Sequence, residues 1–412
     1  MKMENHTAGE SKEKFLTKPL LIIFLTVLID LIGFGIVIPL LTFYAEEFNA
    51  TPLDIGLLVA SYSLMQFIFA PIIGSLSDRY GRRPVLFFSI IGSGIGYLML
   101  GLANSLWMIY ASRILGGITA GNLSTAQAYI ADVTTRETRA KGMGLFGMAF
   151  GLGFILGPAI AGFLSKFGHA VPFLFASALS FSNAILLFFI LPESIKPNTV
   201  LHERKSRLAE IISALKNRKF STITIEYFLL VTAFSIMTTS FAYYTMTNFG
   251  YNASETGYLL GYVGFVAVIT QGFLLGKLAK EYGEEKLISI GALILALSLI
   301  AVPLVSRESG GLIALLIGTA LFSFGNSIAS PSLNSLASKM ARDDEQGKVL
   351  GIMQSAASLA RVIGPFICGI LLNNNMGKVD VFTLKRTFWT ASAIMIATFL
   401  VSLYYSLLRK TT

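Results

Sequence analysis

The chain has 412 residues, of which 54% are hydrophobic and only 13% are charged, and its mean hydropathy is +0.69. Soluble domains carry about 25% charged residues, so this composition excludes a protein that folds entirely in water. The net charge of +9 does not indicate a nucleic-acid partner, because Lys and Arg are spread over alternate loops between apolar segments.

Twelve apolar segments are long enough to cross a membrane, which takes ~20 residues of helix. Six precede the hydrophilic stretch 192–220 and six follow it. We therefore predict an all-α polytopic membrane protein with an N-terminal bundle at 1–191, a basic cytoplasmic linker at 192–220 and a C-terminal bundle at 221–412. The predicted spans, numbered in chain order, are roughly 20–44, 54–76, 84–103, 106–131, 142–165, 170–191, 221–248, 256–279, 286–305, 312–337, 347–371 and 387–408.

Basic residues predict the orientation of these spans. Most Lys and Arg lie in the two termini and in the loops that follow even-numbered spans, and such an excess is typical of cytoplasmic loops. Both termini are therefore expected in the cytoplasm, in a multi-pass protein of the plasma (inner) membrane. Each half has an even number of spans, so both halves are expected to enter the membrane in the same orientation.

Three landmarks of the first half recur in the second half about 200 residues later. Such internal repeats, with a binding site at the interface between the halves, are typical of secondary transporters. The predicted fold is therefore two pseudo-symmetric six-helix bundles around one cavity. The recurring pairs are Gly74–Gly81 with Gly276–Gly283, Gly121–Asn122 with Gly325–Asn326, and Gly157–Pro158 with Gly364–Pro365.

The loop between spans 2 and 3 carries a dense motif. It reads G-S-L-S-D-R-Y-G-R-R-P from Gly74 to Pro84. Gly81 permits a turn, and Pro84 suits the first turn of the next helix. Arginines hold the loop at the cytoplasmic side, whereas a short basic loop has no need of Asp78. The loop is either a plain topogenic turn or a charge cluster with a role in transport.

Three ionisable residues fall well inside predicted spans. Asp30 lies ten residues into span 1, where a carboxylate costs ~2.5–3.5 kcal/mol, so it is expected to face a cavity or a polar partner. It is either a reversible proton carrier or one member of a fixed ion pair or helix cap. Arg113 lies in span 4 and Arg361 in span 11. Arg361 is expected either to bind an anionic substrate or to neutralise a carboxylate in the cavity.

Polar side chains on other spans are candidates for the lining of the cavity. Gln66 in span 2, Asn326 in span 10 and Gln354 in span 11 would form this lining together with Arg361. Phe234 and Tyr243 in span 7 are candidate apolar walls, although aromatic residues at such positions also serve plain packing.

The loop motif resembles the signature loop of the major facilitator superfamily at every defined position. The first half is most similar to the tetracycline/H⁺ antiporter branch of the twelve-span drug:H⁺ antiporters. The residues that carry this second resemblance are Ile29–Pro39, Leu64–Gln66, Arg113–Thr119 and Tyr129–Asp132.

The resemblance implies roles for several residues. Asp78 and Arg82 would form a cytoplasmic latch with Asp132 that holds the halves together in the outward-facing state. Arg113 would be the span-4 arginine that is linked to proton coupling, and it would modulate Asp30 without pairing with it directly. The run Gly153–Gly162 resembles the antiporter signature of span 5, so its members Gly153, Gly157 and Pro158 would support close helix packing or gating.

The sequence departs from that branch in one informative place. Gly96 precedes Tyr97–Leu98 where tetracycline exporters carry an acidic residue, so tetracycline is not the expected substrate. We expect proton-coupled antiport that exports a small amphipathic organic compound, of the multidrug efflux type, by alternating access. The alternative is a facilitator or symporter of a metabolite or lipid on the same fold.

Other function classes find no support in the sequence. A single cysteine, Cys368, and three scattered histidines provide no metal site, and no phosphate-binding loop or nucleophile–base set indicates an enzyme. The expected partners are the small-molecule substrate, protons and the lipid bilayer. We expect a monomer without a cofactor.

Overall fold

The computed structural model describes residues 17–135, 138–195, 217–340, 346–374 and 379–410. These residues form long helices, and the described part of the chain contains no strand beyond one isolated bridge between Ser306 and Gly310. The predicted helical fold is thus confirmed. The predicted linker falls mostly on residues 196–216, which lie outside the described ranges, so the domain boundaries stay predictions.

The helices follow the predicted spans and keep their numbers here. Eleven of them are single stretches of sufficient length and hydropathy to cross a membrane. The helix bounds are Lys18–Glu46 (span 1), Pro52–Tyr80 (2), Arg82–Gly101 (3), Leu106–Thr119 with Asn122–Val133 (4), Arg139–Leu164 (5), Val171–Ile190 (6), Arg218–Phe249 (7), Ala253–Ile269 with Leu275–Tyr282 (8), Glu284–Ala301 (9), Gly311–Met340 (10), Gln346–Leu372 (11) and Val381–Lys410 (12).

Span 4 differs from the prediction of one continuous helix over 106–131. The first helix ends at Thr119, and the Ala120 N–H bonds the Gly117 carbonyl in a tightened last turn. A second helix begins at Asn122, where the Thr125 N–H and hydroxyl both bond the Gly121 carbonyl. Apolar composition alone does not reveal such a break, which leaves span 4 as two short helices in series.

The internal repeat appears as matching structural elements. Span 2 begins at a capping box of Thr51 and Asp54, and span 8 begins at an equivalent box of Asn252 and Glu255. Span 2 ends at Gly81 with φ 103°, and span 8 ends at Gly283 with φ 76°. Below, the end of the bundle with Gly81 is called the Gly81 end, and the opposite end is called the Thr51 end; the Gly81 end is the predicted cytoplasmic one.

Among the described residues, two helix pairs make the most extensive contacts between the halves, and both pairs pack backbone against backbone. In the pair of spans 2 and 11, a Cβ on Gly56 would lie 2.4 Å from the Pro365 carbonyl oxygen. In the pair of spans 5 and 8, a Cβ on Gly257 would lie 2.8 Å from the Gly162 Cα. These contacts all lie near the Thr51 end, so glycines close the interface there.

The same helices separate towards the Gly81 end. A Cβ on Gly74 or Gly351 in the first pair, or on Gly144 or Gly272 in the second, would meet no atom within 4 Å. The hydrophobic core agrees with this separation. Its larger cluster contains residues of both halves, whereas a second cluster contains only residues of the N-terminal half. The halves are therefore closed at one end and parted at the other, as alternating access requires of each of its two end states.

Spans 2 and 8 each contain an interruption of regular α-helical hydrogen bonding, at equivalent positions of the repeat. Span 2 contains Pro71, and span 8 contains a π-helical turn at Thr270–Leu274. Proline and π turns both allow a helix to bend. Pro71 and the π turn lie where spans 2 and 8 begin to separate from their partner helices. Each half therefore has a point at which the helix end towards Gly81 or Gly283 can change direction.

Alanine should destabilise the protein where it replaces a glycine in contact with the opposite half. It should not do so where the helices have separated. We expect Gly56→Ala to lower the free energy of unfolding by about 1–3 kcal/mol, because its Cβ would overlap a backbone carbonyl that cannot turn aside. Gly351→Ala, in the partner helix, is the matched control and should be neutral or slightly stabilising. Thermal unfolding in detergent measures both variants, and equal melting temperatures would contradict the described packing.

Candidate transport site

Asp30 lies near the middle of span 1, about 18 Å from the start of its helix at 1.5 Å per residue. Its Oδ1 accepts a hydrogen bond of 2.6 Å from the Asn122 side-chain amide. Asn122 is 4% exposed and is the first residue of the second helix of span 4. The break in span 4 thus delivers a buried amide to the carboxylate of span 1.

Arg113, in the first helix of span 4, does not pair with Asp30. Its guanidinium lies over the ring of Tyr62, 4.2 Å from the ring centroid. The side chain is 6% exposed, and its Nε has no hydrogen-bond partner among the described residues. A cation on an aromatic face is stabilised by the ring quadrupole, but its N–H donors stay available.

Two tyrosines are close to this pair of charged residues, Tyr62 under the Arg113 guanidinium and Tyr97 beside Gly33. Tyr62 and Tyr97 each interact electrostatically with both Asp30 and Arg113. The Tyr97 hydroxyl lies 2.9 Å from the position of a Cβ on Gly33, one turn after Asp30, so a larger residue there would displace it. We call Asp30, Tyr62, Tyr97, Arg113 and Asn122 the core polar cluster.

The predicted packing glycines of span 5 lie against the helix turn that follows Asp30. A Cβ on Gly153 would lie 2.5 Å from the Leu31 Cβ, and one on Gly157 would lie 2.7 Å from the Gly35 Cα. Pro158 contacts both sides: its ring Cδ lies 3.1 Å from a Cβ on Gly35 of span 1, and its carbonyl oxygen lies 2.7 Å from a Cβ on Gly257 of span 8. Span 5 therefore connects the segment that carries Asp30 with the opposite half.

The predicted cavity residues occupy different environments. Gln66 and Asn326 are partly buried, and Gln354 is exposed. Arg361 is also partly exposed and donates from Nη2 to the Ser358 hydroxyl at 3.2 Å. Gln354, Ser358 and Arg361 follow helical spacing, so they share one polar face of span 11.

The two span-7 aromatics pack within the protein in this conformation. Phe234 stacks on Phe322 of span 10, with ring centroids 5.7 Å apart, and keeps some exposure. Tyr243 is only 3% exposed and lies in the core near the Thr51 end, where the halves are closed. Its role as a cavity wall stays a prediction for another state.

The three predicted latch residues form one charge cluster at the Gly81 end. The Arg82 guanidinium pairs with Asp78 at 2.6 Å and with Asp132 at 3.0 Å, and it donates to the Ser77 hydroxyl. All three charged residues belong to the N-terminal half. In this conformation, their contacts join spans 2, 3 and 4 rather than the two halves.

Glu193, just after span 6, completes this charge cluster. Its carboxylate accepts from the backbone N–H groups of Arg82 and Arg83, at 2.9 and 3.1 Å, and so caps the first turn of span 3. The Ser194 hydroxyl donates to Asp132 at 2.9 Å. Together with Asp78, Arg82 and Asp132, Glu193 forms what we call the loop cluster, which ties the start of the linker to the loop motif.

Metal chemistry has no support in the described part of the chain. No group of three or more His, Cys, Asp or Glu side chains there could hold an ion. Cys368 is buried as a free thiol in span 11.

Loss of the Arg82 side chain should destabilise the N-terminal half. We expect Arg82→Gln to lower stability by about 1.5–3 kcal/mol, because two carboxylates lose a charge-assisted hydrogen bond. Arg79→Gln, at an exposed position of the same loop, removes the same charge and should stay within about 0.5 kcal/mol of the wild type. Denaturation in detergent distinguishes them, and similar losses for both variants would refute a specific role for Arg82.

Comparison with known proteins assigns the chain to a family. The profile of the Major Facilitator Superfamily matches residues 23–365 and 223–411. Tetracycline resistance protein class B of Escherichia coli is 31% identical over 383 residues, covering 91% of this chain and 94% of that protein. Multidrug resistance protein 2 of Bacillus subtilis is 29% identical and covers 87% of this chain and 90% of that protein.

Solved structures agree on the fold. The human organic anion transporter MFSD10 aligns with a TM-score of 0.70 at 24% identity, over 93% of this chain and 99% of that one. The nucleoside transporter NupG aligns with a TM-score of 0.79 at 12% identity, over the same shares. Together with the family profile, these matches show that the chain belongs to the Major Facilitator Superfamily.

Proposed function

We propose that the protein is a secondary active transporter that exports a small amphipathic organic compound in exchange for protons. The observation that carries this proposal is the Asp30 carboxylate, which lies in the middle of a span and is hydrogen-bonded to a neutral amide rather than paired with a cation. The names of the relatives, which are tetracycline and multidrug resistance proteins, support efflux as the direction of transport.

The Asn122 amide suits a carboxyl group that changes its protonation state. Its NH₂ group donates to the ionised carboxylate and can go on donating to the carbonyl oxygen of a protonated one, while the Asn122 Oδ1 keeps its bond from the Leu123 N–H at 2.8 Å. A fixed ion pair with an arginine would instead favour the permanent charge. Asp30 can therefore gain and lose a proton without leaving a buried partner unsatisfied, and we assign it the role of proton carrier.

Arg113 would modulate this proton carrier through the tyrosines. It interacts with Tyr62 and Tyr97, and both tyrosines interact with Asp30. A change in the position of Tyr62 on span 2 would therefore alter the electrostatic potential at the Asp30 carboxylate. Span 2 also forms the interface with span 11, so the field would change when the halves move.

During alternating access, the glycine contacts would close the Thr51 end in one state, and the loop cluster would help to close the Gly81 end in the other. In the present state the glycines hold the Thr51 end closed. In the opposite state the Gly81 end would close, and we infer that Asp78, Arg82 and Asp132 then supply the N-terminal half of the latch. Gly153, Gly157 and Pro158 would transmit the movement between span 1 and span 8.

The membrane location and orientation of the protein are inferred from its charge pattern. We infer a multi-pass protein of the plasma membrane with both termini in the cytoplasm, because the basic residues lie at the Gly81 end. One chain contains both bundles and the interface between them, so a monomer would suffice for transport across the bilayer.

Neutralising Asp30 should separate exchange from proton-driven transport. In proteoliposomes, we expect Asp30→Asn to abolish substrate accumulation driven by a pH gradient but to preserve counterflow of the same substrate. The reason is that counterflow needs only the binding and movement of substrate, whereas accumulation needs a titrating group. Fluorescein and rhodamine 123, an anion and a cation on the same ring system, are suitable fluorescent compounds for the first screen of both modes.

Glu308→Gln is the matched control, since this carboxylate lies on the exposed loop between spans 9 and 10. It should leave both modes of transport unchanged. Gradient-driven accumulation that survives in Asp30→Asn would refute the coupling role. Counterflow without any effect of pH in the wild type would instead favour a facilitator.

A further inference from the structure

Arg361 is a second cation in the middle of the membrane for which the proposed proton cycle has no use. It is the sixteenth residue of the helix Gln346–Leu372, about 22 Å from its start and about 16 Å from its end. A charged side chain at such a depth costs ~2.5–3.5 kcal/mol even by insertion measurements. A cost of this size indicates a function or a strong compensating partner.

No compensating anion lies next to Arg361 among the residues that the structure describes. Its only described hydrogen bond goes to the neutral Ser358 hydroxyl, and none of the described ion pairs includes it. A guanidinium has five N–H donors, so most of its bonding capacity stays unused. This argues against the alternative that Arg361 neutralises a carboxylate of the cavity.

Arg361 and Arg113 approach the Tyr62 region from opposite halves. Arg113 lies over the Tyr62 ring, and Arg361 lies one turn before Pro365, whose carbonyl packs against Gly56 less than two turns from Tyr62. Tyr62 interacts electrostatically with both arginines, and Arg113 also has an unpartnered Nε. Asp30 is the one carboxylate that interacts with Tyr62, and its Oδ1 already accepts from Asn122. Among the charged groups that act on Tyr62, two are guanidinium cations and one is a carboxylate, which leaves a surplus of positive charge between the halves.

An apolar surface begins next to this positive site. The Phe34 ring lies 5.8 Å from the Tyr62 ring, and Phe154 follows at 6.1 Å from Phe34. Phe150 continues this row with a stacked ring at 6.1 Å from Phe154. All three phenylalanines are partly buried rather than sealed in the core. A molecule with one charged end and an aromatic body would find both features within reach.

We propose that the substrate is an amphipathic organic anion whose carboxylate or sulfonate binds Arg361, with its apolar body against the aromatic row that starts at Phe34. Arginine suits this role because its planar fork binds such oxyanions in a bidentate manner. The site lies between the halves, so both would contact the anion as the protein changes state. This assignment rests on the proposed transport function and names the substrate class of the same site.

Direct binding tests the substrate class separately from proton coupling. Purified full-length protein in detergent would be titrated with two anions, fluorescein and naphthalene-2-sulfonate, and with the cation rhodamine 123, which shares the ring system of fluorescein. We expect the wild type to bind both anions more tightly than the cation. Arg361→Gln should weaken anion binding at least about tenfold, and Arg361→Lys should weaken it less, because a lysine keeps the charge but loses the fork.

Two controls make the result decisive. Arg218→Gln removes the same charge from an exposed position of span 7 and should leave the binding of all three compounds unchanged. Rhodamine 123 binding to Arg361→Gln should be equal or tighter than in the wild type, which also shows that this variant is folded. Anion affinities that are unchanged in Arg361→Gln, or a wild type that binds the cation better than both anions, would overturn the assignment.

The outcomes also separate this inference from the proposed function. Arg361-dependent anion binding without proton-driven transport would refute the antiport and keep the substrate class. Proton-driven transport of rhodamine 123 without Arg361-dependent anion binding would refute the substrate class and keep the antiport.

Discussion

The cost of a carboxylate within a membrane-spanning helix is the constraint that explains most of this structure. Asp30 cannot remain in hydrocarbon without a polar partner, and the partner is the Asn122 amide. The amide reaches it because span 4 is interrupted at Ala120 and Gly121, which frees the next residue to begin a new helix. The Asp30 carboxylate has several of these features around it. They are the break in span 4, the glycines of span 5 beside Leu31, and the tyrosines Tyr62 and Tyr97.

Close contact between helices is the second requirement, and glycines meet it at one end of the molecule only. Backbone contacts at Gly56 and Gly257 hold the halves together at the Thr51 end. Towards the Gly81 end, span 2 contains Pro71 and span 8 contains the π turn, both of which allow bending, and the same helices lose contact there. The two bend sites occupy equivalent places in the repeat, so each half has the same means of opening.

Sequence patterns predicted the parts of this arrangement that are local or repeated. Hydropathy located the spans, the repeat predicted the matching ends of spans 2 and 8, and the loop motif drew attention to Asp78 and Arg82, whose role in transport stays a prediction. Span 4 was predicted as one helix because apolar composition does not report a turn of altered hydrogen bonding. Its break could have been suspected from Gly121–Asn122, which had been noted only as a landmark of the repeat.

Contacts between distant segments were not predictable in this way. Asn122 was not identified as the partner of Asp30, because the two residues are 92 positions apart and no local pattern connects them. Tyr62 received no role and Tyr97 served only as a marker of the family pattern, since tyrosines in apolar helices are common. The capping of span 3 by Glu193 was not predictable either, because it depends on the return of span 6 to the loop motif.

The central claim is that Asp30 exchanges a proton with water during the transport cycle. Infrared difference spectroscopy of the purified protein, titrated from about pH 4 to 9, reports this directly through the C=O stretch of a protonated carboxyl group. Our account predicts a band that appears on acidification in the wild type and is missing in Asp30→Asn. Identical difference spectra for the two proteins across this range would contradict it.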